Sequence, residues 1–490
     1  MKFRIKLLTL AASRPVAFLH INDAKKLDVH TGDRVDILKN SQKIVAVVDI
    51  GKKIMSQGEI AVSEEVIKES KLKQGDLVDV ALTLPPASVK YILKKVNGQS
   101  LTKSEIEYII KDIVTNTLNE AEIAYFVFGV YKNGMTLNET IYLTNAMYKV
   151  GTSLHWPPNK KIADKHSIGG IPGNRTTPIV VSICTSAGIV MPKTSSRAIT
   201  TAAGTADVME CITKVDLSVA ELKKVVHKTE GCFAWGGSLG LAPADDKLIR
   251  VERLLKVDPE SQLIASILAK KLSVGSRYIL IDIPYGESAK VSKSKGKELK
   301  KKFIQVVSHF GLKIRVLLTD GSQPMGNGVG PVLEMKDVLS VLKRDNPPKD
   351  LEDKSLLLAG EILEMVGKAV KGKGILLARE ILESGKAYKK FEEIVNAQGR
   401  VAKKWKEAKF KYDVISKKDA KIKKINNKDI NSLGRDLGCP VDKTAGIYIY
   451  KHKNDLIKKG EKLMTLYAES KIKLKEALAF LHSTNPFTIG

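Results

Sequence analysis

The stretch Asp164-Lys165-His166-Ser167-Ile168-Gly169-Gly170-Ile171-Pro172-Gly173-Asn174-Arg175-Thr176-Thr177 decides how this chain is read. Its glycines at 169, 170 and 173 let the backbone approach a ligand closely. The pair Thr176-Thr177 then opens an apolar helix, expected to run to about Ala187 and to be capped by Gly188. A Gly-rich turn feeding a helix start is an anion site, because free amides and the positive dipole end face the ligand. Lys165, Ser167 and Thr177 add one charge and two donors. On its own the run reads equally well as an ordinary polar turn.

A second stretch follows at strand–helix spacing: Lys193-Thr194-Ser195-Ser196-Arg197-Ala198-Ile199-Thr200-Thr201-Ala202-Ala203-Gly204-Thr205-Ala206-Asp207. Many hydroxyls around one Arg suit phosphate, which wants several neutral donors and one or two cations. The alternative is a Ser/Thr-rich surface loop. Two such loops at successive strand ends of one α/β domain favour a phosphate site.

Working outward, short apolar runs at Ile189–Met191, Tyr278–Ile283 and Lys313–Leu318 alternate with helical segments. Residues 161–411 are therefore expected to form an α/β domain with a mixed, mostly parallel sheet. Residues 1–84 alternate short strand-like runs with turns and contain an echo. Gly32-Asp33-Arg34-Val35-Asp36-Ile37 returns as Gly75-Asp76-Leu77-Val78-Asp79-Val80, which suggests a small pseudo-twofold β-barrel. Residues 85–160 read as helical and are expected to be completed by about 245–275. Capping boxes are expected at Thr102…Glu105, Thr117…Glu120 and Thr136…Glu139. Residues 412–490 return to short strands, at Ala420–Asn426 and Gly446–Tyr450, before a final amphipathic helix, and read as an α+β domain.

The bulk composition narrows the class. Of the 490 residues 43% are hydrophobic and 28% charged, the balance of a folded globular protein. No stretch approaches the roughly 18–20 apolar residues of a membrane helix, so no membrane association is expected. Cys184, Cys211, Cys232 and Cys439 are scattered, without CxxC or zinc-ligand spacing, so no metal is expected and a reducing cytoplasmic setting fits. The net charge of +27 suits anionic substrates, or RNA through the N-terminal barrel. No RNP-type aromatic motif accompanies the Lys-rich runs, which disfavours nucleic acid.

Lys-His-Ser-x-Gly-Gly, followed by Ser-x-Arg and Gly-Thr-x-Asp, resembles the thymidine and pyrimidine-nucleoside phosphorylase signature. The wording at 165–177, 193–200 and 203–207 is closer to the archaeal-type AMP phosphorylases. Ala234-Trp235-Gly236-Gly237, Leu241-Ala242-Pro243-Ala244-Asp245-Asp246-Lys247, Ala265-Ser266-Ile267-Leu268 and Gln323-Pro324-Met325-Gly326 extend the likeness along the whole chain. The resemblance implies phosphorolysis of AMP, or of other nucleoside 5′-monophosphates such as CMP and UMP, giving free base and ribose 1,5-bisphosphate. Inorganic phosphate would be the co-substrate, with no cofactor, and the enzyme would be a homodimer or larger homo-oligomer.

By position, the likeness assigns phosphate to Lys165, Ser167, Thr177, Ser195 and Thr205. It assigns AMP to Gly170, Ser196, Arg197, Ala198, Ile199, Thr200, Thr201, Thr205, Ser266 and Lys290. Asp258 would be the proton donor, with a carboxyl raised by burial, although Asp-Pro is also a common helix cap. Lys270, four residues after Ser266, matches a base-side lysine of the pyrimidine enzymes and otherwise reads as a surface lysine beside Lys271. His166 is in the signature with an open role. Arg197, Thr200 and Thr201 are the expected 5′-phosphate pocket. Val251 stands where pyrimidine phosphorylases carry a base-contacting Arg, which disfavours the nucleoside reading. A nucleoside phosphorylase and a phosphoribosyltransferase remain the rival enzymes.

Overall fold

The computed structural model describes residues 1–490 apart from Ser13, Leu84, Thr200 and Lys403. The chain folds as two compact units, Met1–Val150 with Pro243–Ala265, and Gly151–Ala242 with Ser266–Gly490.

In the first unit, six strands close a barrel in the order β1-β5-β2-β4-β3-β6. These are β1 (Lys2–Leu7), β2 (Val16–His20), β3 (Arg34–Lys39), β4 (Gln42–Gly51), β5 (Glu59–Val62) and β6 (Leu77–Leu82). The sequence echo explains the closure. Ile37 pairs directly with Val80, its own counterpart in the repeat, so the pseudo-twofold axis passes between β3 and β6. Alternation along β1 sends Phe3 and Ile5 inward to meet Leu19, Val35, Ile60 and Val80.

Helices Ala87–Val96, Lys103–Val114, Glu120–Asn133 and Leu137–Lys149 follow. The chain returns to them at Pro243–Leu255, where Lys247 donates to Ile113 O, Val114 O and Asn116 Oδ1. Capping boxes form at Thr102/Glu105 and Thr136/Glu139. The middle one forms at Asn119/Glu122, two residues beyond the expected Thr117/Glu120. Glu122 also pairs with buried Arg34 of the barrel, and Leu118 is buried, so tertiary contacts fix which residue caps.

In the second unit, the sheet contains β7 (Ala163–Ser167), β8 (Met191–Ser195), β9 (Gly231–Trp235), β10 (Tyr278–Tyr285) and β11 (Lys313–Asp320). A parallel bridge between Ile162 and Val190 joins β11-β10-β7 to β8-β9, giving the order β11-β10-β7-β8-β9. Every pairing in it is parallel, so the expected mixed sheet is corrected. The strand expected at Ile189–Met191 is present but lies further along the chain, with a bridge at Val190 and β8 running from Met191 to Ser195. From β7 the chain moves to β8 on one side, and from β10 to β11 on the other. The loops after β7 and β10 therefore diverge at a topological switch point, where open α/β sheets bind ligands. Helix Thr176–Ser186 packs on the sheet, and Ile179, Met191, Phe233, Leu280 and Phe391 share one buried core.

The C-terminal stretch carries two small antiparallel sheets. One has the order β12-β15-β17-β13, from β12 (Gly328–Val329), β13 (Phe410–Ile415), β15 (Gly446–Ile449) and β17 (Lys462–Ala468). The other, β16-β14-β18, uses β14 (Ala420–Ile425), β16 (Leu456–Ile457) and β18 (Phe487–Ile489). Helices Asn427–Asp436 and Lys471–Thr484 complete it, and β12 ties it to the preceding chain. Among the described residues no helix is long and apolar enough to cross a membrane. The four cysteines are buried and unpaired, and burial pushes the thiols of Cys211 and Cys232 up to about 12.

Candidate active site

β7 ends in Lys165, His166 and Ser167, and the loop after it reaches helix Thr176–Ser186 through glycines with positive φ, 87° at Gly169, 91° at Gly170 and 70° at Gly173. Gly173 has no room for a side chain, since a Cβ there would lie 2.0 Å from Met325 O. The Lys165 amine is buried under the helix start, donating to Thr176 Oγ1 at 2.7 Å and Thr177 Oγ1 at 3.4 Å. Burial pushes its pKa down to about 7. Asp282 opposes that shift, while Lys354, Lys193 and Arg175 add to it. Ser167 Oγ receives the Asn174 amide at 3.3 Å.

The second loop leaves β8. Ser195 Oγ is buried there without a hydrogen-bond partner in the protein, an arrangement that calls for a ligand or water. Asp207 organises the rest of this loop, accepting from Ala198 N at 2.7 Å and Gly204 N at 2.9 Å. Thr205 opens the short helix Thr205–Met209. Arg175 then fastens the first loop to the second, donating to Thr205 Oγ1 at 2.6 Å and Ala203 O at 2.9 Å, with Glu334 as its buried counter-ion at 2.6 Å. Sequence pattern alone gives Arg175 no role, although it stands inside the decisive stretch.

A layer of charge lies beneath both loops. Asp164 bridges Lys193 at 3.0 Å and Lys271 at 2.5 Å, and Asp282 pairs with Lys354 at 3.0 Å. The buried basic side chains Lys165, Arg175, Lys193, Lys271 and Lys354 thus lie among the buried carboxylates Asp164, Asp207, Asp282 and Glu334. Lys271 is buried, and burial lowers its pKa to about 7. Burial and the surrounding Lys271, Lys193, Lys270 and Lys165 hold His166 well below its usual range, so its imidazole is neutral near pH 7.

The structure brings Lys165, Ser167, Thr177, Ser195 and Thr205 to the ends of β7 and β8. Arg197, one of the residues expected to hold the 5′-phosphate, lies half-buried in the loop after β8. Its guanidinium pairs with Glu210 at 2.7 Å, Asp207 at 3.2 Å and Asp216 at 3.7 Å, and lies 4.8 Å over the Trp235 ring. The Glu210 hydrogen bonds above all hold its proton more tightly than usual. Thr201 donates to Ala203 O, Ser196 and Ile199 are exposed, and Thr200 lies outside the described residues. Ser266 and Lys270 are half-buried, one turn apart on helix Glu260–Ser273. Asp258 belongs to the other unit, exposed in the turn before that helix rather than buried as expected.

Gly170 and Lys290 come together where the loops after β7 and β10 diverge. They line a groove of about 250 Å³ with Asn431, Ser432, Lys428 and Arg435 from helix Asn427–Asp436. A Cβ at Gly170 would meet Lys290 Cβ at 3.3 Å. Asn431 pins the helix to the loops after β7 and β8, donating to Gly170 O and receiving Ala202 N, each at 3.1 Å.

Comparison with known proteins agrees with this architecture. The helical bundle domain of a glycosyl transferase family matches residues 89–151, its a/b domain residues 159–388, and the pyrimidine nucleoside phosphorylase C-terminal domain residues 421–487. The AMP phosphorylase of Pyrococcus furiosus is 42% identical over all of this chain and 98% of its own. A putative thymidine phosphorylase of Legionella pneumophila is 39% identical over 92% of this chain and 87% of its own. The crystal structure of anthranilate phosphoribosyltransferase from Thermus thermophilus superposes with a TM-score of 0.53 at 18% identity, covering 64% of this chain and 99% of its own, and shows the fold alone. Matched along its whole length, the chain belongs to the AMP phosphorylase family.

Proposed function

We propose that this protein cleaves the N-glycosidic bond of AMP with inorganic phosphate, releasing adenine and ribose 1,5-bisphosphate. CMP and UMP are further substrates of the same class. The observation that carries the reading is the pair of hydroxyl-rich loops at the ends of neighbouring parallel strands β7 and β8, with Lys165 buried behind them and Ser195 Oγ lacking a protein partner.

In this reading the loops hold phosphate as the nucleophile, through Lys165, Ser167, Thr177, Ser195 and Thr205. Positioning a dianion against the anomeric carbon supplies proximity, and its charge offsets the positive charge that develops on the sugar. Asp258 protonates the departing base, which leaves more easily as the neutral species. Electrons from the breaking C–N bond pass to the base, and a phosphate oxygen forms the new C–O bond at C1′. Inorganic phosphate is the co-substrate and no further cofactor takes part. Exposed Tyr125, Phe128 and Tyr131 on helix Glu120–Asn133 support the expected homo-oligomer.

The competing reading is a nucleoside phosphorylase acting on thymidine or uridine, favoured by the name of the Legionella relative. Following base release from AMP and from adenosine, each with and without phosphate, separates the two.

A further inference from the structure

A buried primary amide needs partners at both ends, because its oxygen and its nitrogen lose their water on burial. Gln398 meets that need within the fold. Its Oε1 accepts from Phe233 N at 2.6 Å, and its Nε2 donates to Lys214 O at 2.8 Å and Phe233 O at 3.1 Å. Gln262, on helix Glu260–Ser273, is 1% exposed, yet neither its Oε1 nor its Nε2 meets a hydrogen-bond partner in the protein. Among the described residues it is the one side chain with two buried polar atoms that both stand unpaired. We infer that Gln262 reads the Watson–Crick edge of the substrate's base, pairing with N1 and the 6-amino group of adenine. The inference rests on the reading of the chain as an AMP phosphorylase and adds a base-recognition residue to it.

Position and chemistry both favour a base as the missing partner. Gln262, Ser266 and Lys270 recur at intervals of four and so share one face of the helix, the face to which the family likeness assigns AMP. Ser266 and Lys270 are half-buried, so the core does not seal this face, whereas Ile264, Ile267 and Leu268 are turned elsewhere and buried. A leucine in place of Gln262 would fill a similar volume without unpaired atoms, so packing gives no reason for an amide there.

A carboxamide carries an acceptor and a donor side by side, as the base edge requires. With adenine, Oε1 accepts from the 6-amino group and Nε2 donates to N1. Cytosine offers the same pattern at its 4-amino group and N3. Turned over about its terminal bond, the amide meets uracil at O4 and N3–H. One residue thereby serves all three proposed bases, and adenine held by this edge keeps N7 free for the proton from Asp258.

The test compares full-length wild type with Q262L and Q262M. It reads kcat/KM for AMP and for purine riboside 5′-monophosphate, which lacks the 6-amino group, and KM for phosphate. Equilibrium dialysis follows free adenine and purine, and urea titration follows stability. The inference predicts that either variant shrinks the preference for AMP over the purine analogue, and for adenine over purine, by about 5- to 50-fold. KM for phosphate should stay unchanged, and neither variant should unfold earlier than wild type, because no protein contact is lost. An unchanged preference would overturn the inference, as would variants that are less stable and lose AMP, its analogue and phosphate together. If wild type releases no adenine from AMP, the reading as an AMP phosphorylase falls. Dialysis still decides the amide in that case: adenine preference lost in Q262L supports a base site, and wild type binding adenine no better than purine overturns it.

Discussion

Replacing Lys165 with Met should make the protein more stable near neutral pH while removing phosphate binding. The Lys165 amine is 2% exposed and has its pKa pushed down from 10.5 to about 7, chiefly by burial. Above pH 10.5 the lysine is neutral in both states and costs nothing. Between 10.5 and 7 the unfolded chain holds a proton that the folded protein lacks, so stability falls as pH falls. Below 7 the cost is complete, roughly 5 kcal/mol at 1.36 kcal/mol per unit. Methionine fills nearly the same volume without charge, but it forfeits the bonds to Thr176 and Thr177, worth about 1 kcal/mol each. The expected net gain is therefore about 2–4 kcal/mol at pH 6.5, fading and reversing above about pH 9.

Urea unfolding in phosphate-free buffer measures this difference. Trp156, Trp235 and Trp405, the three tryptophans of the chain, all lie in the second unit, so their fluorescence reports the part that contains Lys165. A K165M protein less stable than wild type at pH 6.5, or a difference that does not change with pH, would refute the reasoning. Confirmation would identify Lys165 as a cation kept at the expense of stability, as binding sites often require.

Two further outcomes concern the site. R175M strands the buried Glu334 carboxylate and unties both loops, so it should destabilise the second unit by about 3–5 kcal/mol; a loss under about 1 kcal/mol in urea titrations would show the pair to be unimportant. D258N should keep the KM for AMP while turnover falls by about 100- to 10,000-fold; full turnover would remove Asp258 as the acid.

Local pattern made much of this molecule legible. The Gly-Asp echo led to the barrel because both copies form strands that pair with each other. The decisive stretch led to the turn and the helix after it because glycine and hydroxyl placement is governed by nearby backbone. Long-range contacts were not legible. Arg175 meets Glu334, and Asp164 meets Lys271, only after the chain has folded, so neither Lys271 as a buried cation nor Arg175 as a tie between loops could be read in advance. The middle capping box was misplaced for a similar reason, since Arg34 of the barrel draws Glu122 into place. Helix Asn427–Asp436 reads as an ordinary amphipathic segment, and its meeting with Gly170 depends on the C-terminal sheets.

The most direct test of the central claim is adenine release from AMP and from adenosine, each with and without inorganic phosphate, with thymidine and uridine in parallel. Phosphate-dependent adenine release from AMP, with adenosine inert and a phosphorylated sugar as co-product, is the predicted result. Inert AMP alongside phosphorolysis of thymidine or uridine would contradict it, leaving the phosphate loops in place and removing the nucleotide from the account.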